Sequence, residues 1–171
     1  MPRPILKYPH PILSKRAEEI TEITDEHKQL AKDMAEAMYD QRGIGLAAPQ
    51  VGECCRLIAV DISGPDERTE LMFLVNPVIV SREGEVTDEE GCLSVAQFRA
   101  KVTRSEKVVV KAKDLDGKDV ELPADGILAV CLQHEIDHLD GVLFIDHISR
   151  LKRALYDNKI KKWQKARKQE S

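Results

Sequence analysis

Two histidines and a glutamate in the last third of the chain have types and a spacing that could carry out hydrolysis. His134 and His138 are four residues apart in an apolar stretch typical of a helix, so their imidazoles project from one face and could hold one metal ion. Glu135 follows the first histidine and can reach a water on the same ion. A metal lowers the pKa of its bound water, and a carboxylate can accept the proton and pass it on. The pattern indicates metal-assisted hydrolysis.

A catalytic metal site usually has three protein ligands, and the spacing does not identify the third one here. In the long zinc-protease pattern a third histidine lies six residues after the second, where this chain has Phe144. The methionine turn of those proteases also cannot form, because no methionine follows Met72. Downstream, the ligands that stay possible are His147, Asp146 and Asp157.

Upstream, Cys92 lies in the glycine-containing segment 90–94, which is typical of a loop. One thiolate and two imidazoles would suit a borderline-soft metal, and the metal would keep the thiol deprotonated. A single cysteine is more commonly a structural residue, and spacing alone does not decide between these two interpretations.

A second segment, residues 43–52, is small, apolar and spaced by glycines. Its small side chains would let another backbone, such as a peptide substrate, approach closely. Gln50 near its end could donate an N–H to a developing oxyanion. The ordinary alternative is a tight connection between a helix and the next strand.

The whole chain limits the class of protein. A length of 171 residues predicts a single domain that comprises residues 1–171. The composition, with 42% hydrophobic and 33% charged residues, is typical of a globular protein. There is no apolar run of about 18 residues and no signal-peptide pattern, so we expect a cytoplasmic protein with no membrane partner. Residues 150–171 carry nine Lys or Arg and two acidic residues, although the chain has a net charge of -4. Such a basic tail predicts contact with a polyanion or, alternatively, a solvated helix end.

Hydrophobic periodicity predicts helices at residues 25–41, 125–139 and 149–168, and the second of these carries both histidines. The apolar stripe predicted for the last helix comprises Ile148, Leu151, Leu155, Ile160 and Trp163. Strands are predicted at residues 56–62 and 71–80, followed by a hairpin within residues 107–122. Together these elements predict an α+β fold: a single domain of mostly antiparallel sheets packed around a central metal-binding helix, with a C-terminal helix.

Three segments together resemble the signature motifs of the peptide deformylases, in the same order and at similar intervals: residues 43–50, 90–94 and 134–141. Weaker similarity extends over nearly the whole chain. The resemblance implies a metal-dependent hydrolase that removes the N-formyl group from the N-terminal formyl-methionine of nascent proteins and releases formate.

The resemblance also implies roles for individual residues. Glu135 matches the general base and acid, and Gln50 and the backbone N–H of Leu93 match the oxyanion donors. The implied metal ligands are Cys92, His134 and His138. The implied substrate-binding residues are Gly45, Ile127, Val130, Cys131 and Arg99. For the pocket residues near the start of the metal-binding helix, ordinary core packing is the alternative.

The implied cofactor is one divalent metal ion per chain, Fe2+ in the cell, with Zn2+, Ni2+ or Co2+ also able to occupy the site. The implied partners are N-formyl-methionyl nascent peptides and, through the basic C-terminal helix, the ribosome, whereas DNA is not expected. One departure is Val95-Ala96, where the family commonly has Ile-Pro, which would alter the rim of the substrate groove. The residues alone leave two alternatives, a zinc metallopeptidase and a non-catalytic, metal-stabilised ribosome-binding factor.

Overall fold

The computed structural model describes residues 3–170, with side chains described up to residue 167. The predicted domain includes residues 1, 2 and 171, which lie outside the described residues. The predicted basic tail includes residues 168–170, whose side chains are also not described. The α-helices are α1 Asp25–Asp40, α2 Gly64–Glu67, α3 Gly126–Leu139 and α4 Arg150–Glu170. The strands are β1 Gly45–Ala47, β2 Leu57–Val60, β3 Met72–Glu83, β4 Val86–Cys92, β5 Val95–Arg104, β6 Lys107–Lys113 and β7 Asp119–Asp125. Short 3-10 turns occupy Pro11–Ser14, Ala48–Val51 and Phe144–His147.

The strands form two antiparallel sheets. Five strands pair in the order β1-β2-β3-β6-β7, and β4 pairs with β5 in a separate two-stranded sheet. The predicted hairpin is β6–β7, which pairs from Lys107 with Asp125 to Lys113 with Asp119. The α+β prediction, with mostly antiparallel sheets and a C-terminal helix, is confirmed. Within the described residues, no helix is both long and apolar enough to cross a membrane.

Helix α3 is buried on nearly every side because it is apolar on nearly every side. Its residues Leu132 and Leu139 are fully buried, in one cluster with Val60 of β2 and Val110 of β6. The opposite side of the helix faces the β4–β5 hairpin. A helix held between two sheets in this way can point histidines into the interior with little freedom to move.

The β4–β5 hairpin corrects the prediction that Cys92 lies in a loop. Cys92 ends β4 and pairs with Val95, so the turn between the strands is only Leu93-Ser94. The strand was not predicted because β4 reads Val-Thr-Asp-Glu-Glu-Gly-Cys, without the apolar alternation of a half-buried strand. Its first four residues are not buried, and Glu90 turns inward.

The C-terminal helix has close to the predicted bounds, but its predicted apolar stripe is only partly right. Ile160 is buried, and Ile148 and Trp163 pack against the same cluster, whereas the two leucines do not. Leu151 and Leu155 are 71% and 59% exposed, whereas Tyr156 is 1% exposed. Tyr156 and Ile160 pack with β5 and with the Phe144–His147 turn. The face of the helix that is buried therefore includes Tyr156, which the predicted stripe omitted.

Gly141 closes the turn after α3 and provides the first test. Its φ is +76°, and an added Cβ would lie 2.5 Å from Ser14 O and 3.0 Å from Lys15 O. We expect Gly141→Ala to lower the free energy of unfolding by about 2–5 kcal/mol, because left-handed strain and a backbone clash combine. Urea unfolding monitored by circular dichroism measures the loss.

The matched control is Gly117→Ala. Gly117 has a similar φ of +81° but no heavy atom within 4 Å of an added Cβ. Only the conformational strain applies there, about 1–2 kcal/mol. Equal losses in the two variants would show that the contact with Ser14 contributes nothing.

Candidate active site

The side chains of Cys92, His134 and His138 meet between the β4–β5 hairpin and α3. One ligand atom from each lies within 4.8 Å of the other two. Cys92 Sγ is 3.3 Å from His138 Nε2, and the two imidazole centroids are 5.0 Å apart, one helical turn along α3. Among the described residues this is the one group of three or more such side chains close enough to hold a metal.

The chemistry of this group fits a divalent ion. One sulfur and two ring nitrogens suit a borderline-soft metal, and three protein ligands leave a position open. Burial lowers the pKa of His138 well below its usual value, so this imidazole is neutral, as a ligand must be. Burial also acts to lower the pKa of His134, but its hydrogen bonds with Cys92 and Glu90 raise that pKa, a shift that a bound cation would oppose. Glu135 Oε1 lies 4.0 Å from His138 Nε2, is buried, and has no hydrogen-bond partner among the described residues. A buried carboxylate oxygen of this kind is costly unless a water or another donor meets it.

Glu135 is the acid–base candidate of the site. It is 4% exposed, and burial, the largest effect on it, raises the pKa of the carboxyl to about 7. A carboxyl with a pKa near neutrality can both accept and release a proton under physiological conditions.

Glu90 orients the first histidine. Its Oε1 accepts a hydrogen bond from His134 Nδ1 at 3.0 Å, which leaves Nε2 of that ring available to a metal. Arg104 donates to both carboxylate oxygens, from Nε at 3.0 Å and from a terminal nitrogen at 2.9 Å. Burial acts to raise the pKa of Glu90, but the hydrogen bonds from His134 and Arg104 outweigh it and lower that pKa to about 2. The carboxylate therefore stays ionised at neutral pH.

The three downstream candidates for the third ligand have other partners. His147 Nε2 lies 2.9 Å from Asp137 Oδ2, which also accepts from the buried arginine of the Glu90 pair. Asp146 accepts from an arginine of α4, and Asp157 accepts from the hydroxyl of Tyr8. Residue spacing alone could not have separated these residues from Cys92, because the distinction depends on the β4–β5 pairing.

Gln50 lies beside the same group, on the Ala48–Val51 turn. Its Oε1 accepts from Ala47 N at 2.9 Å, and its Nε2 donates to Ser94 Oγ at 3.0 Å. The same nitrogen is 3.6 Å from Cys92 Sγ. Residues 43–52 were predicted to be either a loop that the substrate backbone approaches or a tight connection. In the structure they contain a short edge strand, β1, and one 3-10 turn. The turn places the side-chain amide of Gln50 at the site.

Gly45 occupies a position where the structure leaves no space for a side chain. An added Cβ would lie 2.4 Å from Glu135 Oε2 and 2.8 Å from Cys131 Sγ. A side chain at this position would displace Glu135 or Cys131, so the close approach of β1 to α3 favours glycine here although its φ lies outside the left-handed region.

A cavity of about 660 Å³ opens beside the three candidate ligands. Among the residues that line it are Glu135, Gln50, Leu93 and all five predicted substrate-binding residues: Gly45, Ile127, Val130, Cys131 and Arg99. Ile127 is 58% exposed and lies at the rim, while Cys131 is buried. Gln97 and Phe98 also line the cavity and were not predicted, because the sequence pattern did not reveal strand β5.

The family model for polypeptide deformylase matches residues 2–154. The chain is 51% identical over 166 residues to the peptide deformylase of Acidobacterium capsulatum, with 97% of this chain and 98% of that protein covered. It is 52% identical over 157 residues to the peptide deformylase of Thermodesulfovibrio yellowstonii, with 92% and 95% covered. The chain belongs to the peptide deformylase family.

Solved deformylase structures have the same fold. The crystal structure of the Legionella pneumophila peptide deformylase is 45% identical, with a TM-score of 0.91 and 98% of both chains covered. That of the Synechococcus elongatus enzyme, in complex with actinonin, is 40% identical with a TM-score of 0.87, covering 92% of this chain and 87% of that one. The deformylase prediction is confirmed, and the metallopeptidase and binding-factor interpretations are set aside.

The Glu90 contacts generate a prediction about metal binding. We expect Glu90→Gln to weaken the affinity for Zn2+ by about 10–100-fold, because partners that orient a metal-binding histidine typically have effects of that size. Competition with a chromogenic chelator measures the affinity. Glu89→Gln is the matched control, since Glu89 is on the same strand but exposed, with Arg99 at 3.4 Å. Equal weakening in both variants would show that Glu90 has no specific role.

Proposed function

We propose that this chain carries out the deformylase reaction, hydrolysis of the N-formyl group of formyl-methionyl peptides, with the residues around the Cys92–His138 contact. The observation that carries the proposal is a cluster of one sulfur and two ring nitrogens beside a buried carboxylate. Cys92, His134 and Glu135 of this group line one cavity. Residues 1–171 would form one catalytic domain, with the C-terminal helix as part of it. Because nascent chains are its substrates, the enzyme would act in the cytoplasm.

Cys92, His134 and His138 would hold one divalent ion. When bound, the ion supplies a Lewis acid that polarises the formyl carbonyl and lowers the pKa of a water. Fe2+ is the proposed ion in the cell, on the basis of the family resemblance, and Zn2+, Ni2+ or Co2+ would suit the same donors.

Glu135 moves the proton. It takes a proton from the attacking water and delivers it to the departing amine nitrogen, so that formate and a free N-terminus result. Its burial, its raised pKa and its place in the cavity wall support this role.

Gln50 and Leu93 stabilise the charge that develops on the carbonyl oxygen. The Nε2 amide of Gln50 has two protons, of which one is donated to Ser94 Oγ and the other faces Cys92 Sγ at 3.6 Å. An oxyanion is a stronger acceptor than a sulfur at that distance and would take the second proton. Leu93, whose backbone N–H would be the second donor, follows the proposed ligand Cys92 and lines the same cavity. Removing one such donor typically lowers the rate by about 10²–10³-fold.

The cavity wall selects the substrate. Val130, Cys131 and Ile127 offer an apolar surface for the methionine side chain, while Arg99 lies on the rim. The missing side chain at Gly45 leaves room for the Glu135 carboxylate against β1. The backbone of Gly45 lines the cavity and would bind the substrate backbone there.

Replacing the proposed base tests the reaction. We expect Glu135→Gln to retain one metal per chain but to lose nearly all formate release from a formyl-Met tripeptide, because an amide cannot accept the proton. Metal content by elemental analysis and formate by a coupled dehydrogenase assay are measured on the same anaerobic preparation. Full turnover by the metal-loaded variant would contradict this role, and no formate from the metal-loaded wild type would contradict the proposed function.

We further propose that helix α4 docks on ribosomal RNA. Lys159, Lys161, Lys162, Lys165 and Arg167 are all exposed on it. Charged contacts with a polyanion release counterions, so the affinity should fall as salt rises. Truncation is a poor test, because a cut before Tyr156 would remove side chains that pack in the core.

Neutralising charges on α4 avoids that problem. We expect the triple variant Lys161→Gln, Lys162→Gln and Lys165→Gln to bind ribosomes more weakly, with the slope of log affinity against log salt reduced by about two to three. Co-sedimentation across a salt series measures both quantities, and activity on short peptides should not change. The control triple replaces exposed lysines of the β6–β7 hairpin: Lys107, Lys111 and Lys118. Equal weakening in the two triples would reject α4 as the docking surface.

A further inference from the structure

A side chain of helix α4 donates a hydrogen bond to strand β5, which forms one wall of the cavity. The hydroxyl of Tyr156 donates to the backbone oxygen of Ala96 at 2.9 Å. Ala96 is the second residue of β5, four residues after the proposed ligand Cys92. The Tyr156 side chain is almost fully buried, so water competes little for this bond.

The ring of Tyr156 contacts the same wall. Its centroid is 4.7 Å from that of Phe98, which lines the cavity. Phe98 lies 6.1 Å from Phe144, and Phe144 in turn stacks at 6.2 Å on the imidazole of His134. Packed aromatic rings therefore lead from the C-terminal helix to the ligand group.

The residue between Ala96 and Phe98, the two residues that Tyr156 contacts, has an uncommon backbone conformation. Gln97 has a φ of +55°, in the left-handed region, and it also lines the cavity. A residue other than glycine keeps this conformation only when its surroundings hold it. Tyr156 holds the residue before Gln97 by its hydroxyl and the residue after it by its ring.

We infer that Tyr156 is a positioning residue for the substrate cavity, because its hydroxyl fixes residues 96–98 in the conformation that forms the cavity wall. The inference rests on the proposed function and adds a specific role for the C-terminal helix in substrate binding. Among the described residues, the hydroxyl of Tyr156 has a hydrogen bond to Ala96 O and none to a proposed ligand, so it acts on the wall and not on the chemical step.

The test is Tyr156→Phe, which keeps the ring and removes one hydrogen bond. We expect KM for a formyl-Met tripeptide to rise about 3–10-fold, the effect of losing one such bond, while kcat stays within about twofold. Amide hydrogen exchange at residues 95–99 should become faster than in the wild type. An unchanged KM with unchanged exchange would overturn the inference, as would a fall in kcat with KM constant.

Tyr8→Phe is the matched control. Tyr8 belongs to the same cluster, its ring centroid is 6.0 Å from that of Tyr156, and its hydroxyl donates to Asp157 instead of the cavity wall. We expect its KM and its exchange at residues 95–99 to match the wild type, and equal changes in both variants would overturn the inference. If the metal-loaded wild type releases no formate, the proposed function fails, and the exchange comparison still decides the role of Tyr156.

Discussion

The buried carboxylate of Glu90 is the interaction on which the rest of the site depends. It joins three elements, because Glu90 is on β4, Arg104 on β5 and His134 on α3. Removing a carboxylate and a guanidinium from water costs several kcal/mol per ion, and this cost is offset only when every bond forms with good geometry. The hairpin is therefore held in one register against the helix, and that register places Cys92 opposite His138. The positions of the three proposed metal-binding atoms therefore depend on the ion pair between Glu90 and Arg104.

Helices and strands with a strong hydrophobic periodicity could be predicted from the sequence. Those whose buried side chains are charged residues paired across the fold could not. Helix α3 and the β6–β7 hairpin were predictable because apolar spacing and turn residues are local signals. The β4–β5 hairpin was not, because its inward-facing residues include Glu90 and Arg104, which resemble surface residues until they are paired. For the same reason, Cys92 could be preferred as a ligand only through the resemblance to a family.

The C-terminal helix shows a different limit. Its apolar residues do not all lie on one face, and the sequence does not say which of them the rest of the protein covers. Tyr156 is buried because its ring fits between Tyr8 and Phe98 and its hydroxyl has a backbone acceptor. Leu151 and Leu155 stay exposed because β5 lies on the other side of the helix. Tertiary contacts, not hydrophobicity alone, decide the orientation of such a helix.

Gly45 has a consequence for how this enzyme can change over time. Every amino acid that could replace it adds a Cβ, which would displace the Glu135 carboxylate and the Cys131 sulfur from their present positions. A substitution at this position would therefore move the proposed base. Ile127 and Arg99, at the exposed rim, have no such restriction. Inherited differences in substrate range should consequently accumulate at the rim, while Gly45 stays constant across lineages.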